Sequence, residues 1–192
     1  MENKMKVIFL DIDGVLNTEV YLTAFFDICK KMDLKQSIHL LRDEYGNHFD
    51  PVALRMLNWV IGETGAKLVI SSTWRMSGLK AMKDMWRDRG LYGDVIDITP
   101  VHGVDHIEEY IQMLPENDLH KYYTPDRGVV RGHEIEQWLS ENTVESYVII
   151  DDEDDMLKKQ MGNFVQTNAK YGLTDKDAEA CIKILNQNKE DE

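Results

Sequence analysis

Asp11 and Asp13 stand at the end of a short apolar run, Val7-Ile8-Phe9-Leu10, and Gly14 follows them, which permits a tight backbone turn. Val7 to Leu10 has the length and β-branched character of a fully buried strand. Two carboxylates at the carboxyl end of such a strand cost desolvation energy unless a cation or hydrogen-bond donors compensate, and a bound divalent cation is the simplest compensation. Two later apolar runs end in a similar way. Lys67-Leu68-Val69-Ile70 stops at Ser71-Ser72-Thr73, and Tyr147-Val148-Ile149-Ile150 stops at Asp151-Asp152. Acids, a hydroxyl and a nearby cation in one crevice suit phosphoryl transfer. That chemistry needs a nucleophile, a metal to neutralise phosphate charge and donors for the equatorial oxygens. An aspartate can be the nucleophile, passing through an aspartyl-phosphate that water then hydrolyses. A second carboxyl two residues on can protonate the leaving oxygen and afterwards activate the water.

The elements that must position these residues alternate between strand and helix. Thr18 is an N-cap candidate for a helix to about Met32, with Tyr21, Phe25, Ile28 and Met32 on one face. Residues 33–49 are polar, with Gly46-Asn47 as a turn signal. Asp50-Pro51 opens a helix striped by Leu54, Leu57, Val60 and Ile61 and ended by Gly62 and Gly65. Ser77 is expected to cap the next helix, through Arg89, and Val95 to Ile98 reads as a strand. A helix from about Gly132 to Ser140 precedes the Tyr147–Ile150 strand. A short helix, opened by the acidic run Glu153 to Asp155, and a weak strand at Phe164-Val165 come after it. Thr174 and Asp177 form a capping box for a last helix whose Ala178, Cys181, Ile182 and Leu185 face inward. This alternation predicts an α/β fold, a Rossmann-like parallel sheet with helices on both faces. Ligands bind such sheets outside the carboxyl ends of the strands, so one crevice can collect all three loaded strand ends. The expected organisation is one domain over residues 1–192, with small insertions at about 18–49 and 101–126.

Composition narrows the partners. Apolar residues make up 43% and charged residues 30% of the 192, as in an ordinary globular protein. A net charge of −13 repels nucleic-acid backbones and anionic membranes on average. The stretch holding Arg75, Lys80, Lys83, Arg87 and Arg89 against Asp84 and Asp88 leaves room for a local basic surface. Cys29 and Cys181 lie in helix-like apolar patterns and read as buried free thiols of a reducing compartment. Neither a membrane-span-length apolar run nor a signal-peptide pattern is present, which makes a cytoplasmic protein the expectation.

Asp11-Ile12-Asp13-Gly14-Val15 resembles the first motif of the haloacid dehalogenase-like (HAD) hydrolase superfamily, most of whose members are magnesium-dependent phosphatases. Ile70-Ser71 resembles its second motif and Ile149-Ile150-Asp151-Asp152 its fourth, in the paired-aspartate form. Arg131 is the candidate for the basic third motif, with Arg127 and Lys121 as competitors, and Ser72 could replace Ser71. The resemblance implies Asp11 as nucleophile and Asp13 as general acid and base, its backbone carbonyl also ligating Mg2+. Asp151 and Asp152 would complete the metal site, and Ser71 and Arg131 would bind the phosphoryl group. Ser71-Ser72-Thr73-Trp74-Arg75, Arg131-Gly132-His133-Glu134-Ile135 and Trp138-Leu139 are similar to a bacterial and phage branch of the superfamily. Members of that branch are associated with RNA-repair proteins.

Trp74 and Arg75 directly follow the phosphate-binding strand, where a stacking ring and a phosphate-contacting guanidinium would suit a nucleotide substrate, although core packing of Trp74 competes. His102 and His106 share helical spacing without the carboxylate or cysteine pattern of a zinc site. Met82, Met85 and Trp86 read as a packed helix face, and Asp155 as an outer candidate for the metal shell. The expected activity is magnesium-dependent hydrolysis of a phosphate monoester. The short insertions favour an open crevice, better suited to a nucleotide, an oligonucleotide end or a phosphoprotein than to a small buried metabolite. The alternatives are a non-catalytic binding protein of the same fold and a phosphotransferase with an alcohol acceptor.

Overall fold

A computed structural model describes residues 4–31, 42–101, 123–124, 128–129 and 131–187. In chain order the elements are β1 (Met5–Leu10), α1 (Glu19–Lys31), β2 (Arg42–Asp43), β3 (Gly46–Asn47), α2 (Pro51–Thr64), β4 (Lys67–Ile70), a 3-10 turn (Thr73–Ser77), α3 (Leu79–Asp88) and β5 (Val95–Ile98). They continue with β6 (Tyr123–Thr124), β7 (Gly128–Val129), α4 (Arg131–Glu141), β8 (Val144–Asp151), a second 3-10 turn (Lys158–Asn163), β9 (Phe164–Gln166) and α5 (Asp175–Asn186). Five strands form one parallel sheet in the order β5-β4-β1-β8-β9. The chain winds from the central β1 to one edge and then back across to the other, so the order reverses beside β1.

The runs Val7–Leu10, Leu68–Ile70 and Val148–Ile150 of the three central strands are apolar and buried because both faces of the sheet are covered there. On one face Ile8, Leu10, Leu68, Ile70, Val148 and Ile150 pack against buried residues of α2, α3 and α5, among them Leu57, Val60, Met85, Trp86 and Cys181. On the other, Val7, Phe9, Val69 and Ile149 meet Ile135 and Trp138 of α4. Phe9 sits edge-on to Trp138, ring centroids 5.3 Å apart, and to Tyr147 at 5.9 Å. The period of two in β1 thus divides its side chains cleanly between the two layers.

Local signals account for most element boundaries. The Asp50 carboxylate accepts from the Val52 amide at 2.8 Å, Pro51 opens α2, and Gly65 closes it in a left-handed conformation. Thr174 and Asp177 cap α5 reciprocally. Thr18 accepts from the Tyr21 amide at the start of α1.

Several expectations are corrected. Ser77 caps nothing: it ends a 3-10 turn, and Gly78, at φ 89°, leads into α3 without a side-chain cap. Gly46 and Asn47 form strand β3, and the turn of that hairpin is Glu44-Tyr45. Residues 153–155 are loop, followed by the second 3-10 turn. Among the described residues of α1 none is buried, and Phe26 and Ile28 are exposed. Cys181 is buried but Cys29 only half-buried, and both are free. Most of the 101–126 insertion, with His102, His106 and Lys121, lies outside the described residues, as do Met32 and Arg127.

Candidate active site

The sheet's hydrogen-bond ladder runs one residue past the strand ends, and this sets the site's first residues at one level. The Asp11 amide donates to the Ile150 carbonyl at 3.0 Å, and the Ser71 amide to the Leu10 carbonyl at 3.0 Å. The Thr167 amide donates to Asp151 O at 2.9 Å. Leu10 pairs in register with both Ile70 and Ile150, so Asp11, Ser71 and Asp151 emerge side by side. Beyond Asp11 the chain folds back sharply. The amides of Leu16 and Asn17 both reach the Ile12 carbonyl, and Gly14 adopts φ +73°.

Asp11, Asp151 and Asp152 bring carboxylate oxygens within 4.8 Å of one another. Arg131, the first residue of α4, reaches into this cluster and is 14% exposed. Its Nη1 lies 3.2 Å from Asp11 Oδ1 and donates to the Ser71 carbonyl, and its Nε lies 2.8 Å from Asp151 Oδ2. The Nε–Oδ2 approach is close but not aligned as a hydrogen bond, so Asp151 Oδ2 has no hydrogen-bond donor among the described residues. Its other oxygen accepts from the Glu153 amide at 3.0 Å. Ser71 is fully buried, and its Oγ has no hydrogen-bond partner among the described residues either. Burial raises the Asp11 carboxyl above its ordinary value, against the pull of Arg131 and of hydrogen bonding by Ser72. Burial raises Asp151 further and Asp152 as well. Arg131 keeps its charge: burial works against it, but Asp151, Asp11 and Asp155 outweigh that cost.

The donor set fits a hard divalent cation. Three carboxylates face one guanidinium, which leaves 3 − 1 = 2 negative charges when all are ionised. All-oxygen ligands suit Mg2+, and Asp151 Oδ2, ion-paired with Arg131 Nε but without an aligned hydrogen bond among the described residues, is a buried acceptor with lone pairs to offer. Gly14 makes room for the third carboxylate. A Cβ there would lie 2.3 Å from Asp152 Cγ.

A family model describing the HAD domain in Swiss Army Knife RNA repair proteins matches residues 7–178. The chain belongs to this HAD domain family. No curated protein and no solved structure matches it at a significant level. The match spans all five strands of the parallel sheet and every acid of the cluster, and it makes this HAD domain a hydrolase or phosphatase type of protein. No helix among its described residues is long and apolar enough to cross a membrane.

The remaining candidates of the HAD domain divide. Asp13 is exposed at the turn, where Asn17 Nδ2 donates to Oδ1 at 2.8 Å and Trp74 Nε1 donates to Oδ2 at 2.9 Å. Trp74 therefore turns its N–H to an acid, while its ring packs 5.7 Å from Phe49 and under the Arg89 guanidinium at 5.8 Å. Arg75, expected at the substrate, points inward. It is 6% exposed, donates to the carbonyls of Ser71 at 2.6 Å and Ser72 at 2.8 Å, and pairs with Glu134. Its guanidinium braces the loop that carries the two hydroxyls. Asp155 caps α4, accepting from the Arg131 amide at 3.1 Å, and stays outside the acid cluster.

Among the described residues the expected basic stretch is paired except at Lys83, which is exposed. Lys80 and Arg87 bond Asp84, Arg87 also bonds Asp88, and Arg89 bonds Asp43. Two participants escaped the sequence reading. Asn17 had a signal, a polar residue closing an otherwise apolar turn, and Glu134 had a stronger one. Glu134 sits one helical turn before Trp138 on the buried face of α4, where a lone acid requires a partner.

Proposed function

We propose that this HAD domain is a magnesium-dependent phosphatase that hydrolyses a phosphate monoester through an aspartyl-phosphate on Asp11, with a nucleotide or a nucleic-acid end as substrate. The observation that carries the reading is the meeting of Asp11, Asp151 and Asp152 around Arg131, with a buried Ser71 hydroxyl, without a hydrogen-bond partner among the described residues, on the neighbouring strand end. Asp11, Asp151, Asp152 and the Asp13 backbone carbonyl would hold Mg2+. When bound, the ion offsets phosphate charge and brings the raised carboxyls back to their ionised forms.

The chain's own residues supply the rest. One Asp11 oxygen attacks phosphorus as the bond to the leaving oxygen breaks, and the Asp13 carboxyl gives that oxygen its proton. Ser71 Oγ and the Arg131 guanidinium donate to the non-bridging oxygens, and both are fixed before substrate arrives, so little reorganisation is needed. Water then attacks the acyl-phosphate, Asp13 takes its proton, and Asp11 returns as carboxylate. Ser72 stands beside Ser71 as a second phosphate-side hydroxyl, and its hydrogen bonding to Asp11 favours the ionised nucleophile.

The family's description as RNA-repair domains supports a nucleic-acid end. So does the pairing of Lys80 and Arg87 on α3, because a substrate gripped by one terminal phosphate needs no basic track for a long backbone. The two free cysteines suit a reducing, cytoplasmic setting. A panel of nucleotides, 3′- and 5′-phosphorylated oligonucleotides, sugar phosphates and phosphopeptides tests the proposal. Magnesium-dependent phosphate release, fastest from nucleotides or oligonucleotide ends, is expected. A strong preference for small sugar phosphates overturns the substrate assignment, and no release from any member overturns the activity.

A further inference from the structure

Asp13 lies on a turn outside the sheet ladder and is exposed, so nothing in the strand fixes its side chain. Two neutral donors do so instead. Asn17 Nδ2 takes one oxygen at 2.8 Å and the Trp74 indole N–H takes the other at 2.9 Å. Neither donor can exchange the carboxyl's proton, and each oxygen keeps a second lone-pair position for one.

The indole is itself held from behind. Its ring meets Phe49 and Arg89, and a Cβ on Gly46 of the β2–β3 hairpin would come within 3.0 Å of its Cη2. The hairpin is in turn pinned to α3. Arg89 Nε and Nη2 donate to the two Asp43 oxygens at 2.7 Å each, and Tyr45 Oη donates to Asp88 at 2.5 Å. A chain of contacts thus runs from α3 through the hairpin and the indole to a carboxyl that would otherwise be held by Asn17 at one oxygen alone.

Resting on the reading of Asp13 as general acid, we infer that Trp74 is a positioning residue: its indole N–H, braced by the β2–β3 hairpin, holds the Asp13 carboxyl in the orientation from which it protonates the leaving group. In the step concerned, the Asp11 oxygen–phosphorus bond forms and the phosphorus–oxygen bond to the leaving group breaks. The Asp13 proton passes to that oxygen, which departs as an alcohol. In the second half-reaction a proton from the attacking water restores Asp13. An orientation effect of this kind weighs most where the leaving oxygen is basic and needs the proton.

The test compares kcat/KM, which reports the steps through leaving-group departure, for p-nitrophenyl phosphate and for an alkyl phosphate, both with saturating Mg2+. Trp74→Phe keeps a ring and removes the N–H. Replacement of Trp74 by benzothienylalanine, in which sulfur stands where the N–H was, removes only the donor and covers the case in which Trp74→Phe misfolds. Both variants are expected to lose about tenfold or more on the alkyl ester and under about threefold on the aryl ester. Asp13→Ala should show the same leaving-group pattern more steeply. Equal losses on both esters, or none, overturn the inference. A steep pattern for Asp13→Ala without one at position 74 overturns it alone. A flat pattern for Asp13→Ala removes the general-acid reading, and the inference with it.

Discussion

Single atoms decide several features of this site. Gly14 combines φ +73°, which favours glycine, with a van der Waals surface occupied by the Asp152 carboxylate. Gly14→Ala therefore forces Asp152 aside, and isothermal titration with Mg2+ should show the ion's affinity falling at least tenfold while the sheet persists in circular dichroism. Arg75 and Glu134 make the opposite kind of pair, buried and away from the crevice. Burial lowers the Arg75 pKa and Glu134 is the chief opposing influence. Glu134→Ala leaves that guanidinium with two carbonyls and no counter-ion there. Urea unfolding should register a loss of roughly 3–5 kcal/mol, and Arg75→Met in the same chain should recover part of it. The residue types at positions 11, 71, 151 and 152 were legible because each ends an apolar run. Arg75 was misread for a physical reason. A basic residue after a phosphate-binding strand looks the same in sequence whether it faces the crevice or folds back under the loop.

At the scale of elements, the sheet was readable and the connections less so. Four of the five parallel strands stand out as apolar runs because burial on both faces leaves no room for polar alternation. Helices α2 and α5 stand out through their caps. The Ser77 cap failed because Thr73 to Ser77 form a 3-10 turn, which leaves Gly78 and not Ser77 at the position before α3. The β2–β3 hairpin, only two residues per strand, had no periodicity to reveal it, and its hold on α3 is electrostatic. Hydrogen bonds from Arg89 keep the Asp43 carboxyl below its usual range. A depressed carboxyl contributes stability above the unfolded pKa, about 3.9, and loses it as pH falls through the lower folded value. Asp43→Asn should thus cost about 1 kcal/mol at neutral pH, between an exposed and a buried pair. Denaturation curves of the two proteins should converge as the pH falls below the unfolded value, about 3.9, and through the lower folded one.

Across the whole molecule, the topology does what no local motif could. A sheet ordered β5-β4-β1-β8-β9 puts the central strand between the two others that carry chemistry, so residues 60 and 140 positions from Asp11 become its neighbours. That convergence was predictable from the strand–helix alternation, whereas the tether of Trp74 on Asp13 was not, because it depends on a hairpin contact. On the proposed mechanism the strand-end acid of β1, Asp11, becomes the phosphoryl carrier. Turnover of a phosphate monoester with Mg2+, quenched in acid within one turnover and followed by peptide mass analysis, tests it most directly. A phosphoryl adduct on the Asp11 peptide, absent in Asp11→Asn together with phosphate release, is the predicted result. Undiminished phosphate release by Asp11→Asn, or an adduct on another residue, would contradict it.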